Sequence, residues 1–195
     1  MSQTLTSELE AVNYMLRAIG ERPVATLENI PSITKAIMAR DTLRDNSRDI
    51  QERGWSFNSE EDYPLSPDST TKEISIPVNA LRCDPSSQTN DYVNRGSRLY
   101  NRTDHTYSFD SAVEVNIVFF LPWEEIPESC RKYAKIKAAR VFQKQAIGAP
   151  DQVSLTEDDE TAAYKDFLDS ESAADAPNFL KNIPALNRRV NPVKP

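Results

Sequence analysis

The spacing of apolar residues changes twice along the chain, and this change restricts the fold more than any other feature of the sequence. Residues 7–53 and 127–168 carry apolar side chains three or four positions apart, which is the spacing of helices with one buried face. Between these segments, apolar and polar side chains alternate, which predicts antiparallel strands with one face in a core. The sequence therefore predicts an α+β fold in which a small antiparallel sheet is inserted between two pairs of helices.

Local signals predict where the four helices begin and end. Ser7 with Glu10, and Ser154 with Glu157, form the sequence pattern of a capping box, in which two side chains bind free amides of a first turn. Ser32 is the predicted N-cap of the second helix. Three helices are predicted to end at glycines: Gly20, Gly54 and Gly148. We expect the N- and C-terminal helix pairs to pack together as a four-helix bundle.

The middle third predicts the strands of the sheet. Residues 55–57, 72–78 and 113–119 alternate in polarity, and residues 92–100 read as a hairpin with Gly96 in its turn. Two prolines are predicted to interrupt the strands in a polar loop, Pro64 and Pro67. We expect one face of this small sheet to be buried.

The last residues differ from the rest of the chain. From Ser172 onward the sequence contains four prolines, few apolar residues and no periodicity, which predicts an extended C-terminal arm. The predicted domain organisation is a helical bundle of residues 1–54 and 123–171, an antiparallel β lobe of residues 55–122, and an extended arm of residues 172–195.

Scarce residue types exclude several classes of function. The chain of 195 residues has one histidine, which argues against zinc sites with several histidine ligands. Its four glycines leave no phosphate-binding loop. Its two cysteines, Cys83 and Cys130, lie far apart and are expected to be reduced and packed. From these scarcities we expect no cofactor and no bound metal. No apolar run approaches the roughly 20 residues that cross a bilayer, so we also expect no membrane partner.

Two clusters contain groups that could act in catalysis, and each has a simpler interpretation. Glu124, Glu125 and Glu128 are carboxylates of the kind that a glycosidase places across a bond, but they precede a predicted helix, where such residues cap. His105 lies close to Ser108 and Asp110 in one polar segment, whereas the members of a catalytic triad come from separate elements. We therefore predict no catalytic residue.

The distribution of charge predicts surfaces that bind other proteins. The chain has a net charge of −7, which disfavours tight binding of DNA. The third predicted helix nevertheless carries six basic residues: Arg131, Lys132, Lys135, Lys137, Arg140 and Lys144. The C-terminal arm carries four: Lys181, Arg188, Arg189 and Lys194. These residues either form a solvated surface or pair with acidic surfaces of neighbouring copies and partners.

Several segments, in the same order along the chain, resemble the tail tubular protein A family of short-tailed bacteriophages. The first is EAVNYMLRAIGERPV at residues 10–24, and the second is QERGWSFN at 51–58. The third is YVNRG at 92–96 with LYNR at 99–102. The remaining ones are Phe109 and Asp110 leading to VNIV at 115–118, IPE at 126–128 and AARVF at 138–142. The resemblance spans residues 8 to 150 and does not include the C-terminal arm.

This resemblance implies a structural role. Members of the family form a ring of twelve copies, the adaptor or head-to-tail connector, between the portal protein and the tail nozzle, a protein of the tail tubular protein B type. DNA passes through the ring without specific binding, and tail fibres dock at the junction with the nozzle. The resemblance implies a virion tail protein that is assembled in the host cytoplasm. The basic helix would then contact the portal and adjacent subunits, and the arm would follow a partner.

A carbohydrate function is the alternative left open by the sequence. Trp55, Phe57 and Trp123 lie near predicted strand ends and could stack on sugar rings, although such aromatic residues more often join a sheet to helices in a core. With Glu124 and Glu125 nearby in the sequence, the alternative is a tail-associated protein that binds or hydrolyses polysaccharide, as a glycoside hydrolase does.

Overall fold

The computed structural model describes residues 5–28, 34–87, 91–147 and 155–181. These residues contain four helices and five strands in the order helix pair, strands, helix pair, which confirms the predicted α+β class. The helices are α1 (Glu8–Ala18), α2 (Thr34–Gln51), α3 (Glu128–Ile147) and α4 (Glu157–Lys181). The strands are β1 (Ser59–Leu65), β2 (Ala80–Pro85), β3 (Tyr92–Arg95), β4 (Arg98–Asn101) and β5 (Val113–Phe119). None of the described helices is long and apolar enough to cross a membrane.

The internal contacts of the chain divide it into two units. The helical unit comprises Met1–Asn46 and Ile126–Pro195, and the β unit comprises Ser47–Glu125. The first division therefore falls inside α2, whereas the sequence predicts it at residue 54. The last turn of α2 belongs to the β unit because the Gln51 amide binds the backbone of Leu121, with its Oε1 accepting at 2.8 Å and its Nε2 donating at 3.1 Å.

In the helical unit, α3 packs against both α1 and α4. The capping box of Ser7 and Glu10 is present at the start of α1 and confirms the prediction. Apolar side chains of α1 are buried, and Phe142 of α3 and Phe167 of α4 are fully enclosed. Each such aromatic side chain contributes about 1.5–3 kcal/mol through burial, and Phe167 stacks on Tyr133 of α3, which helps to hold α4 on α3. The arrangement of all four helices as one bundle stays a prediction.

The β unit contains two small antiparallel sheets. One has the strand order β1-β5-β2, and the other is the β3–β4 hairpin. Val113, Val115 and Ile117 of β5 are buried, which confirms the predicted alternation over 113–117, whereas Val118 is buried as well and Phe119 is half-buried. Leu99 of β4 belongs to the same apolar cluster as these residues. The hairpin turn holds Gly96 at a φ of +67°, a left-handed conformation that glycine adopts without strain, as the sequence predicts.

Three sequence predictions for the β unit are wrong. Residues 55–57 form a turn rather than a strand, because the Asn58 side chain accepts from the Trp55 amide at 2.8 Å. Pro64 lies inside β1, which tolerates it because β1 is an edge strand with β5 as its only neighbour in the sheet. Residues 72–78 pair only through isolated bridges, at Glu73 with Ser108 and at Ser75 with Arg98.

The predicted start of the C-terminal arm is also wrong. The backbone is helical through Lys181, so residues 172–181 continue α4 instead of forming an extended arm. Alanines at 173, 174 and 176 favour the helix, which continues past Pro177, a residue that usually ends or kinks a helix. Helix α4 begins with a capping box of Thr156 and Asp159. The predicted cap Ser154 and residues 182–195 lie outside the described residues.

Candidate interaction surfaces

Arg131, the first basic residue of α3, is used inside the helical unit. Its side chain is 4% exposed, its Nε donates to the carbonyl oxygen of Ile126 at 2.9 Å, and its Nη1 donates to the carbonyl oxygen of Thr6 at 3.2 Å. A buried guanidinium is tolerated only where such acceptors satisfy its donors. Arg131 therefore ties the chain before α1 to the start of α3 and is not available to a partner.

Glu128 completes this connection at the first turn of α3. Both its carboxylate oxygens accept from Thr6, from the backbone amide at 2.8 Å and from Oγ1 at 2.6 Å. Partial burial acts to raise the pKa of Glu128, but the bonds from Thr6 and the nearby cations Lys132 and Arg131 outweigh it, so the pKa lies below its usual value. Glu128 is therefore held as a carboxylate in a structural contact.

Arg140 joins α3 to α4 through ion pairs. Its Nε donates to Glu160, and its Nη1 lies 3.2 Å from Oε1 of Glu157. The ammonium of Lys144 lies 3.9 Å from the same Glu157 oxygen. The Arg140 side chain is mostly buried in these contacts. The positive charges of Arg140 and Lys144 partly neutralise the acidic first turn of α4 within the unit.

The other basic residues of α3 remain candidates for an interface. Lys132 and Lys144 are exposed, Lys137 is half-buried, and the Lys135 ammonium lies 5.3 Å from the centre of the Tyr14 ring. Lys132 and Lys135 line an open groove of about 570 Å³ whose other wall includes Asp159 and Asp166 of α4. The predicted basic surface of α3 is thereby reduced to these four lysines.

The predicted basic arm is only partly within the described structure. Lys181 is the last residue of α4. The other three basic residues lie outside the described residues: Arg188, Arg189 and Lys194.

The aromatic residues of the carbohydrate alternative do not form an exposed platform. Trp123 is 8% exposed, and the Trp55 indole donates from Nε1 to the carbonyl oxygen of Ile50 at 2.6 Å. Phe57 is half-buried, and the carboxylates of Glu124 and Glu125 are exposed. The rings therefore serve the packing of the β unit, as tryptophans with a bonded N–H commonly do.

The second cluster of polar groups is a surface turn. His105 is exposed at a φ of +54°, and Ser108 and Asp110 are exposed as well. Among the described residues, no group of three or more histidine, cysteine or acidic side chains could hold a metal ion. Cys83 and Cys130 are free thiols in buried positions, and burial raises their pKa to about 11 and about 12 respectively.

A surface that the sequence reading missed lies on the outer face of the β3–β4 hairpin. Arg95 is directly opposite Arg98 across the hairpin, and Val93 is opposite Tyr100. The Arg95 guanidinium stacks 3.7 Å from the centre of the Tyr100 ring, and that of Arg98 lies 4.4 Å from the Tyr107 ring. The signal was present in the alternation of residues 98–101, since Leu99 and Asn101 are buried, whereas Arg98 and Tyr100, on the other face of the strand, are half-buried. We call the set Arg95, Arg98, Tyr100 and Tyr107 the arginine–tyrosine face.

Comparison with known proteins identifies a family over most of the chain. The sequence profile described as tail tubular protein matches residues 9–177, which include both units. The chain belongs to the tail tubular protein family. It is 28% identical over 162 residues to Tail tubular protein A of Klebsiella phage KP34, and the aligned region covers 83% of this chain and 84% of that protein. The chain is thus a phage tail protein of the virion, which confirms the family resemblance found in the sequence.

Proposed function

We propose that this chain is a structural component of a short phage tail, in which copies form an adaptor ring between the portal and the nozzle. The observation that carries the proposal is the family match over both units, together with the similarity to Tail tubular protein A along most of both chains. In this role DNA passes through the ring without specific binding, and the net charge of −7 disfavours adhesion to phosphate. Tail fibres dock where the ring meets the nozzle.

A closed ring requires unlike surfaces on each copy. Heterologous contacts close by rotation only when one surface of a subunit fits a different surface of the next. Exposed lysines of α3 and exposed acids of α4 supply surfaces of opposite charge on the same chain. We propose a ring of twelve copies, in which the helices of each copy form a bundle and the C-terminal residues after α4 follow a partner.

Three lysines of α3 are proposed to contact the portal. Lys132 and Lys144 are exposed and Lys137 is half-buried, and the one ion pair that these three form within the described residues is the 3.9 Å contact of Lys144 with Glu157. Electrostatic attraction between such a surface and an acidic one accelerates association and is weakened by salt. Arg131 and Arg140 contribute indirectly, by holding α3 in place.

Binding of the purified chain to the purified portal tests this assignment. Changing Lys132, Lys137 and Lys144 together to Glu is expected to weaken binding by about tenfold or more at low salt, because three charges are reversed. The matched control is Lys72→Glu, an exposed lysine of the β unit. Wild-type protein that does not bind the portal would contradict the adaptor role, whereas equal binding of the triple variant would contradict only the assignment of the lysines.

A further inference from the structure

The arginine–tyrosine face carries an electrostatic cost within its own chain. Arg95 and Arg98 form a directly opposed cross-strand pair, and like charges in that position destabilise a hairpin. Glu73 compensates Arg98 through a contact of 2.6 Å. Within the described residues, Arg95 has no ion pair, and its side chain is exposed. The hairpin thus holds one uncompensated guanidinium at a fixed position.

Stacking fixes the orientation of this guanidinium. With the Arg95 Cζ atom 3.7 Å from the Tyr100 ring centre, one face of the group is covered and the N–H donors at its edge remain available. The Tyr107 ring packs edge-on against Tyr100 at 4.8 Å, which limits the movement of both rings. A fixed planar fork of donors fits a carboxylate in the two-bond manner that arginine favours.

The covered rings favour a protein partner over nucleic acid. Binding of single-stranded nucleic acid uses exposed aromatic faces on which bases stack, whereas the Tyr100 face is already covered by Arg95. The net charge of −7 also opposes binding of a polyanion. Arginine and tyrosine together are the residue types that dominate binding energy at protein interfaces.

The exposed face of α4 has the complementary composition. Ala162, Asp166, Asp169 and Ala173 follow one another at spacings of three or four, so they form one ridge of the helix, and all four are exposed. Asp166 lines the groove that also contains Lys132 and Lys135, but neither Asp166 nor Asp169 forms an ion pair within the described residues. Alanines on either side of the two aspartates allow another surface to approach closely.

The two surfaces also match in spacing. Side chains at positions i and i+3 of a helix have Cβ atoms about 5–6 Å apart, and directly opposed residues of a hairpin have them about 4.5–5.5 Å apart. The Cβ spacing of Asp166 and Asp169 is therefore close to that of Arg95 and Arg98, with Arg95 supplying the uncompensated guanidinium while Arg98 stays paired with Glu73. We propose that the arginine–tyrosine face of one copy binds the Asp166–Asp169 ridge on α4 of the next copy, and that this contact joins neighbouring subunits. The inference rests on the proposed ring.

Charge reversal in assembled virus particles tests the contact. In particles made with variant chains, the number of copies per portal is measured by quantitative mass spectrometry. Arg95→Glu is expected to lower this ratio by about tenfold or more, because the attractive pair between Arg95 and an aspartate is replaced by a repulsive one. Asp166→Arg and Asp169→Arg are expected to lower it as well. Combining Arg95→Glu with one of the two aspartate reversals is expected to restore the ratio to within about twofold of wild type, since the pair is re-formed with opposite signs.

Matched controls separate this contact from nonspecific charge effects. Arg82→Glu reverses another exposed arginine of the β unit, and Asp110→Arg with Glu114→Arg reverses exposed acids on that unit. Both controls are expected to leave the ratio unchanged. Thermal melting of each purified chain identifies variants that fail to fold, and Arg95→Lys, which keeps the charge but loses the planar fork, is expected to lower the ratio less than Arg95→Glu.

The outcomes distinguish the inference from the function on which it rests. A wild-type chain that is absent from particles, or far below the portal in number, contradicts the ring itself. A normal wild-type ratio with a normal Arg95→Glu ratio contradicts the inferred contact and leaves the ring standing. The contact with α4 is also contradicted if neither aspartate reversal restores the copy ratio lost in the Arg95→Glu chain. It is likewise contradicted if the ratio falls equally in the control with Asp110→Arg and Glu114→Arg.

Discussion

Arg131 and Arg140 of the helical unit differ from Arg95 of the β unit in what their guanidinium groups bind. In the helical unit, Arg131 and Arg140 bind carbonyl and carboxylate groups of the same unit and hold α1 and α4 against α3. In the β unit, Arg95 stacks on Tyr100 and directs its donors to solvent. Basic residues in a sequence therefore do not by themselves mark an interface, because the availability of a guanidinium depends on the acceptors that folding brings close.

Substitution of Arg131 is expected to have the largest effect on the stability of the chain. Changing it to Ala removes the buried donors to Ile126 and Thr6 and is expected to lower the free energy of unfolding by about 3 kcal/mol. Urea denaturation of the purified chain measures this loss. The adjacent exposed residue gives the control, since Lys132→Ala is expected to change stability by less than about 0.5 kcal/mol. Equal effects of the two substitutions would contradict the internal role of Arg131.

Glu128→Gln is expected to have the next largest effect. The amide cannot supply the charged acceptor that both donors of Thr6 use, so unfolding free energy at neutral pH is expected to fall by about 1–2 kcal/mol. Because the pKa of Glu128 is lowered in the folded chain, its contribution is present above the usual value of 4.5 and is lost as the pH falls through the folded-state pKa.

Thermal melting over a range of pH measures this dependence. The difference in melting temperature between wild type and Glu128→Gln is expected to be largest near pH 7 and to shrink once the pH drops below the usual glutamate pKa of 4.5. A difference that stays constant down to strongly acid pH would show that the carboxylate charge does not stabilise the contact with Thr6.

Arg140→Gln is expected to have a smaller effect, at the contact between α3 and α4. Loss of the pairs with Glu160 and Glu157 is expected to cost about 1 kcal/mol at low salt and less at high salt, since the outer pair is exposed and screened. Hydrogen exchange of the α4 amides measures whether the first turns of α4 open more often. Protection that is unchanged in the variant would mean that apolar packing alone holds α4.

Arg95→Ala is expected to have the smallest effect on stability. The exposed cation–π contact with Tyr100 contributes about 0.5 kcal/mol, and removal of the repulsion with Arg98 offsets part of this loss. Urea denaturation of the purified chain is expected to show a free energy of unfolding close to that of wild type. A loss as large as that of Arg131→Ala would remove the contrast between the two units and assign Arg95 a structural role.

Several features that depend on neighbouring residues were predicted correctly from the sequence, although the turn at residues 55–57 was not. The capping box of Ser7 and Glu10, the alternation of β5 and the glycine in the hairpin turn each require only a few consecutive residues. The α+β class followed from the same local periodicities. The similarity to the tail tubular protein A family was likewise carried by short segments in a fixed order.

Features that depend on distant residues were not predictable in the same way. The burial of Arg131 requires Thr6, which is 125 residues away, and the strand containing Pro64 requires an edge position beside β5. The outward stacking of Arg95 on Tyr100 requires the register of the hairpin. Each depends on which segments meet in three dimensions, whereas composition and spacing reveal only the charge and polarity of each segment.

The most direct test of the adaptor ring is the number of copies of this chain per portal subunit in purified virus particles, measured by quantitative mass spectrometry with labelled reference peptides. The account predicts one copy per portal subunit, because a ring stacked on a portal ring of the same symmetry shares its count. Absence of the chain from particles, or only a few copies per particle, would contradict the adaptor ring.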